Sequence, residues 1–268
     1  MARPFEGMAH ETDWVALREI VPTATASITV NLPSGGAREV TVATVLPGAM
    51  PALHRTDGEL LVALQSRTSS GDASRDIAQA VLTVVDSEPG TPITALTPAT
   101  VETPRLQDLV DQAQAFDVIV HEDFAFWVAE DEDNPEVAAA LEQTNAAAVP
   151  TTKINGVESA YWCLMGGRAY IRWILPQDED SATTALARLQ ATGEHTLGEG
   201  TTLLGAFRAA GLLVPVFEVD PETPAAEHGP ALVDIQTRYA GALQSSEPLN
   251  VDERRARSGI ISRQVTLR

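Results

Sequence analysis

Trp14-Val15-Ala16-Leu17-Arg18-Glu19-Ile20-Val21-Pro22-Thr23 opens the chain's first ordered element, and Val137-Ala138-Ala139-Ala140-Leu141-Glu142 with Val149-Pro150-Thr151 echoes it later. In both stretches a helical run stops at Val-Pro-Thr. Proline disfavours helical geometry in the residue before it and cannot itself continue a helix. A β-branched run follows each break, Ser27 to Val30 in the first case and Thr152 to Ile154 in the second. Working outward, Val40 to Leu46 and Glu59 to Gln65 read as strands. Their later counterparts are Ser159 to Met165 and Arg168 to Leu175, joined by the hairpin signal Gly166-Gly167. A helix over Asp72 to Val85 has Ile77, Ala80, Val81 and Val84 at helical spacing, and Ser181 to Ala191 matches it with Ala182, Ala185, Leu186 and Leu189. Each half then adds a helix and a strand. Thr103-Pro104-Arg105-Leu106 and Phe116 to Val128 supply them first, Thr201-Thr202-Leu203-Leu204 and Leu212 to Val219 second.

This order predicts an α+β protein of two tandem related α-β-β-β-α-α-β units, each a small mixed or antiparallel sheet with helices packed on it. The acidic connector Glu130-Asp131-Glu132-Asp133-Asn134-Pro135 divides residues 1–129 from residues 130–222. Asp86 to Thr103 and Pro221 to Pro230 read as loops. Residues 223–268 form a C-terminal helical extension, with an amphipathic helix over Ala231 to Gln244, a charged helix around Asp252 to Arg257, and a β-like end from Ile260 to Leu267.

The 268 residues carry a net charge of -19, which repels nucleic-acid phosphates and anionic lipid over most of the surface. The exception is Asn250 to Arg268, where five Arg against two acids give a local balance of +3 and leave -22 on the rest. That basic tail can pair with an acidic body, its own or a second copy's, so self-association through it is one expectation. Arg254, Arg255, Arg257 and Arg263 are the residues a nucleic-acid reading would use. One cysteine, Cys163, forbids an intrachain disulfide. Neither a signal-peptide core nor a run of about 20 apolar residues occurs, so a cytoplasmic protein without a membrane partner is expected.

Candidate chemistry is thin. Cys163 lies in the apolar run Tyr161 to Met165, and a reactive thiol needs a more exposed, electropositive setting. The five histidines are scattered, so no metal site and no cofactor is implied. Asp57 with Glu59 reads as a turn, and Asp72 as a helix cap. Gly193 to Thr202 is the most site-like loop: Gly198, Gly200 and Thr201 before a helix could offer N–H groups to an anion, although two Glu oppose this. Trp162, Tyr170 and Trp173 crowd one hairpin as a binding platform or as core. Arg75, Arg172, His195 and Glu199 are the side chains an enzyme would draw on.

Several blocks resemble one family. They are Arg3 to Gly7, Asp13 to Glu19, Ala43 to Pro47, Ser70-Gly71-Asp72 with Ser74-Arg75-Asp76, Leu197 to Thr201 and Asp252 to Arg257. Together they look like an uncharacterised actinobacterial family, a domain of unknown function, across essentially the whole chain. The resemblance implies no activity. Similar proteins often carry an upstream cysteine-rich segment like the zinc-binding tail of the SecA motor, and this sequence, with Cys163 alone, carries no counterpart of those ligands. The leading functional expectation is a non-catalytic binding or adaptor protein for an unknown protein or small ligand. The alternative is an enzyme acting on a small polar substrate in a cleft between the two units.

Overall fold

The computed structural model describes residues 3–67, 69–129 and 135–262. Contacts divide the chain into two units, Met1–Ala148 and Val149–Arg268.

In the first unit, helix α1 (Glu11–Glu19) buries Trp14, Val15, Ala16 and Leu17 in succession, so it is a core helix rather than an amphipathic surface one. Phe5 and Phe116 stack on Trp14 at 5.9 and 4.4 Å. Strands β1 (Ala24–Asn31) and β2 (Ala37–Val45) pair antiparallel from Thr25↔Ala43 to Asn31↔Ala37. With β3 (Ala52–His54), β4 (Leu60–Gln65), β5 (Thr91–Ile93) and β6 (Ile119–Val120) they form a sheet ordered β5-β3-β4-β2-β1-β6. The β2–β4 pairing is parallel.

Helix α2 (Ala73–Val84) starts where the Asp72 carboxylate accepts from the Ser74 N–H at 3.2 Å. It buries Ile77, Ala80, Val81 and Val84, the stripe read from the sequence. Two short helices, α3 (Leu106–Leu109) and α4 (Pro135–Asn145), complete the unit.

The second unit is an antiparallel sheet of β7 (Thr151–Lys153), β8 (Ala160–Met165), β9 (Arg168–Trp173), β10 (Leu175–Asp178), β11 (Thr202–Ala209) and β12 (Leu212–Val219). Strand β12 is central, paired with β9, β10 and β11. Gly166 and Gly167 both take positive φ, 58° and 77°, the geometry a two-residue β8–β9 turn demands. Helices α5 (Glu179–Thr192), α6 (Gly229–Leu243) and α7 (Val251–Ser262) share one core with the sheet residues Ala169, Ile171, Trp173, Phe217 and Val219. Each fully buried large side chain there contributes about 1.5–3 kcal/mol. The alternate residues Tyr161, Cys163, Arg172, Val214 and Val216 are buried as well, so this sheet is dry on both faces, as near-continuous apolar strands require.

The order of elements agrees between the halves only through one helix, four strands and a second helix, α1-β1-β2-β3-β4-α2 against α4-β7-β8-β9-β10-α5. After that the first continues β5-α3-β6 and the second β11-β12, and among the described residues the first sheet holds a parallel pair and the second holds none. Helix α4 groups with the first unit, whereas the sequence put the boundary before it at the 130–135 connector, of which residues 130–134 lie outside the described ones.

Five local expectations are corrected. Thr201 to Leu204 begins strand β11, because the Ala210-Gly211 turn, with φ of 43° and 90°, folds it back onto β12. Phe116 to Val128 is not one strand. Only Ile119–Val120 pairs, and Asp123 turns the chain by accepting from the Ala125 N–H at 2.8 Å, so that Phe124 and Trp127 can pack together. The helix opened at Thr103 is a single turn, and the loop after Asp86 contains β5, whose Pro92 suits an edge strand. Ile260 to Ser262 continue α7, and residues 263–268 of the expected β-like end lie outside the described ones.

Candidate functional site

A hollow of about 270 Å³ in the first unit is lined by Pro47, Leu53, His54, Arg55, Trp127 and Leu141, among others. Each wall has a local cause. Strand β2 ends at Val45, and its carbonyl accepts from the Trp127 indole N–H at 2.8 Å, which pins the ring. Phe124 packs on that ring at 4.5 Å and is held in turn by its N–H donating to Asn145 Oδ1 at 2.9 Å, at the end of α4. Helix α4 also supplies Leu141 to the apolar cluster that backs the hollow, with Leu46, Leu61 and Trp127.

The opposite side comes from the β3–β4 turn, where Gly58 (φ 92°) closes a tight bend from Arg55 to Glu59. Arg55 is the strut of this turn. Its Nε bonds Asp57 at 2.9 Å, its Nη2 meets Glu59 at 2.5 Å, and its Nη1 donates to the Phe126 carbonyl at 3.0 Å. The Arg55 hydrogen bond holds the Asp57 carboxyl below the usual carboxylate range. His54 ends β3, and its Nδ1 lies 2.9 Å from the Ser87 carbonyl oxygen. The result is an apolar, pre-formed pocket with one imidazole in its wall, slightly smaller than the ~300 Å³ at which ordinary small-molecule sites begin.

A second hollow, about 580 Å³, lies in the second unit between β10 and α6, lined by Trp173, Gln177, Gln236, Tyr239 and Gln244 among others. Tyr239 donates to Gln177 Oε1 at 2.9 Å and meets Trp173 edge-on at 5.6 Å. Burial, and then the charge of Asp178, pushes its phenol up, so it stays protonated.

The residues singled out in the sequence do not converge. Arg75 is tied within the first unit to Asp72 at 3.5 Å and donates to the Thr103 carbonyl. Arg172 is buried on β9 beside Cys163, with its Nε unpartnered. Burial pushes the thiol up, only partly opposed by the neighbouring guanidinium. His195 sits in the loop after α5 with Nδ1 buried and unpartnered, and burial lowers its pKa. Glu199 is exposed in the same loop. Among the described residues no hydrogen bond or ion pair joins any two of these four.

In that loop Thr201 Oγ1 donates to the Gly198 carbonyl at 2.8 Å and accepts from the Leu197 N–H at 2.9 Å. The hydroxyl is thus used to close the loop, and Gly198 and Gly200 take φ of 119° and 76° in a bend that leads into a strand, not a helix. Trp162 is half-buried against the helix-covered core, Tyr170 stands on the other face opposite Cys163, and only Trp173 of the three lines a hollow.

In α7, Arg257 pairs with Asp180 of α5, Glu253 meets Arg188 at 3.4 Å, and Arg254 donates to the Leu249 carbonyl; Arg255 is exposed. Arg263 lies outside the described residues.

No motif in the sequence singles out His54, Arg55 and Trp127, which line this hollow. His54 is one of five scattered histidines, and Asp57-Gly58 reads as a plain turn. The available signal was an arginine immediately before that acidic turn, poised to pair with both acids. Among the described residues no group of three His, Cys, Asp or Glu side chains is placed to hold a metal ion. No helix among them is long and apolar enough to cross a membrane. No curated protein and no solved structure matches the chain. Residues 4–268 match the model of one family across nearly their whole length, and the chain belongs to that family, a family of unknown function (DUF5926).

Proposed function

We propose that this is a non-catalytic binding protein whose first unit seats a small, largely apolar molecule in the hollow between the β3–β4 turn and Trp127. The observation that carries this reading is a pre-formed apolar pocket whose walls are fixed by hydrogen bonds from Trp127 and Arg55, and from the Phe124 N–H to Asn145, rather than left to collapse. A pocket held open in this way needs no ordering of its walls on binding, which is the main cost that weakens small-ligand sites. The pocket also lacks a poised nucleophile. Its one imidazole bonds a backbone carbonyl and a serine hydroxyl instead of a carboxylate, so the orienting third group of an acid–base relay is missing. A cytoplasmic address belongs to the same proposal and is supported by the single buried thiol.

The test is a titration of the ¹⁵N-labelled 268-residue chain with toluene and p-cresol, reading the indole N–H of Trp127, assigned by its loss in Trp127→Phe. Saturable movement of that resonance, suppressed in Leu141→Trp where a larger ring fills the hollow, is the expected result. An indole resonance that stays still at millimolar probe would refute the assignment of the seat.

A further inference from the structure

We infer that the hollow selects ligands that carry one neutral hydrogen-bond donor, a phenolic hydroxyl or a ring N–H, on an apolar body of about one ring, and that His54 Nε2 is the selecting atom. This rests on the hollow being a ligand seat, as proposed above. The argument starts at the far side of the imidazole. The Ser87 carbonyl oxygen, 2.9 Å from Nδ1, can only accept, so Nδ1 must carry the proton. A neutral imidazole has a single N–H, and Nε2 is therefore a bare lone pair.

That choice of tautomer is enforced by a rigid neighbour. The Ser87 hydroxyl donates to the Val84 carbonyl at 2.7 Å and its N–H to the same oxygen at 3.1 Å, so the residue is fastened to the end of α2. No described residue hydrogen-bonds His54 Nε2, and His54 is among the residues that line the hollow.

The side-chain donors of the walls are already committed. The Trp127 N–H serves Val45, and the Arg55 guanidinium serves Asp57, Glu59 and Phe126. The Thr56 hydroxyl, exposed at the rim, can act either way. An acceptor-bearing ligand thus finds no side-chain donor set aside for it beyond that solvated rim hydroxyl. A donor-bearing ligand finds Nε2. The volume of about 270 Å³, just under the range of drug-sized sites, readily accommodates a body of one ring.

The test compares three probes that share one apolar body: p-cresol with a donor, toluene with neither group, and 4-methylanisole with an acceptor alone. For the full chain at pH 8, p-cresol should bind about five- to tenfold tighter than either of the others, the span of one neutral hydrogen bond. In His54→Phe the three affinities should converge, while that for toluene stays within about twofold of wild type.

The wild-type protein gives a readout that does not depend on how the variant folds. The ¹⁵N resonance of His54 Nε2 should move on adding p-cresol and stay in place with saturating toluene. Equal affinities for all three probes in wild type would overturn the selectivity and leave the seat intact. A p-cresol advantage that survives in His54→Phe, or an unmoved Nε2 resonance, would overturn the role of His54. Binding of none of the three would overturn the seat itself.

Discussion

Replacing Arg55 by Met keeps the aliphatic stem beside the hollow and removes only the guanidinium, which makes it a clean test of what holds the β3–β4 turn against Trp127. Two effects compete. Asp57 and Glu59 are 37% and 36% exposed, so their ion pairs with Arg55 are screened and together contribute about 0–1 kcal/mol. The bond from Nη1 to the Phe126 carbonyl is charge-assisted and partly buried, and its loss costs about 1.5–3 kcal/mol. The carbonyl strut therefore dominates, and the whole substitution should cost about 2–3 kcal/mol of unfolding free energy.

Urea unfolding in low salt and again in 0.5 M NaCl separates the two, because salt screens surface pairs far more than a partly buried bond. Most of the loss should persist in high salt, and amides of residues 124–129 should exchange faster. The pH dependence has a fixed sign. Asp57 has a depressed folded pKa, so its stabilising share is present above the unfolded value near 3.8 and fades as pH falls through the lower folded value. Arg55→Met should lack that acid-side decline. A loss under about 0.5 kcal/mol, or one that vanishes in salt, would refute the reasoning.

Asp72→Ala removes the cap of α2 and should lower stability by about 1 kcal/mol, read by the same urea assay, with Asp72→Ser nearly neutral. Gly229→Ala places a Cβ 2.9 Å from the Asn155 carbonyl oxygen, a backbone atom that cannot step aside, so it should lower the melting temperature while Gly241→Ala, with open space around it, does not. Cys163 is fully buried with its thiol pushed up, so a thiol-reactive dye at pH 8 should label native protein only at the rate of unfolding and label it at once in guanidinium.

The parts of the fold that rest on local rules could be read from the chain. Pro22 and Pro150 mark where helices must end, Asp72 and the Ile77-Ala80-Val81-Val84 stripe define α2, and Gly166-Gly167 leaves a tight hairpin as the only economical geometry. The parts that failed are decided by distant partners. Thr201 to Leu204 has no strong propensity of its own and becomes a strand through pairing with Val216 to Glu218. Phe116 to Val128 carries a strand composition, but its aromatic rings pack together and onto α4, which no period in the segment signals.

The same limit hid the hollow of the first unit. Leu53, Trp127 and Leu141 come from β3, a 3-10 turn over Ala125–Trp127 and α4, and nothing in their spacing joins them. The tautomer of His54 depends on a carbonyl 33 residues away. By contrast, the pairing of the basic C-terminal helix with acidic residues was foreseeable from charge alone, and Arg257 with Asp180 realises it within the second unit.

The most direct test of a ligand seat in the first unit is to measure intermolecular nuclear Overhauser effects between bound p-cresol and the 268-residue chain. The account predicts contacts from the ring methyl and ring protons to Leu53, Trp127 and Leu141. Contacts confined to Trp173 and Tyr239 of the second unit, or none at saturating probe, would contradict it.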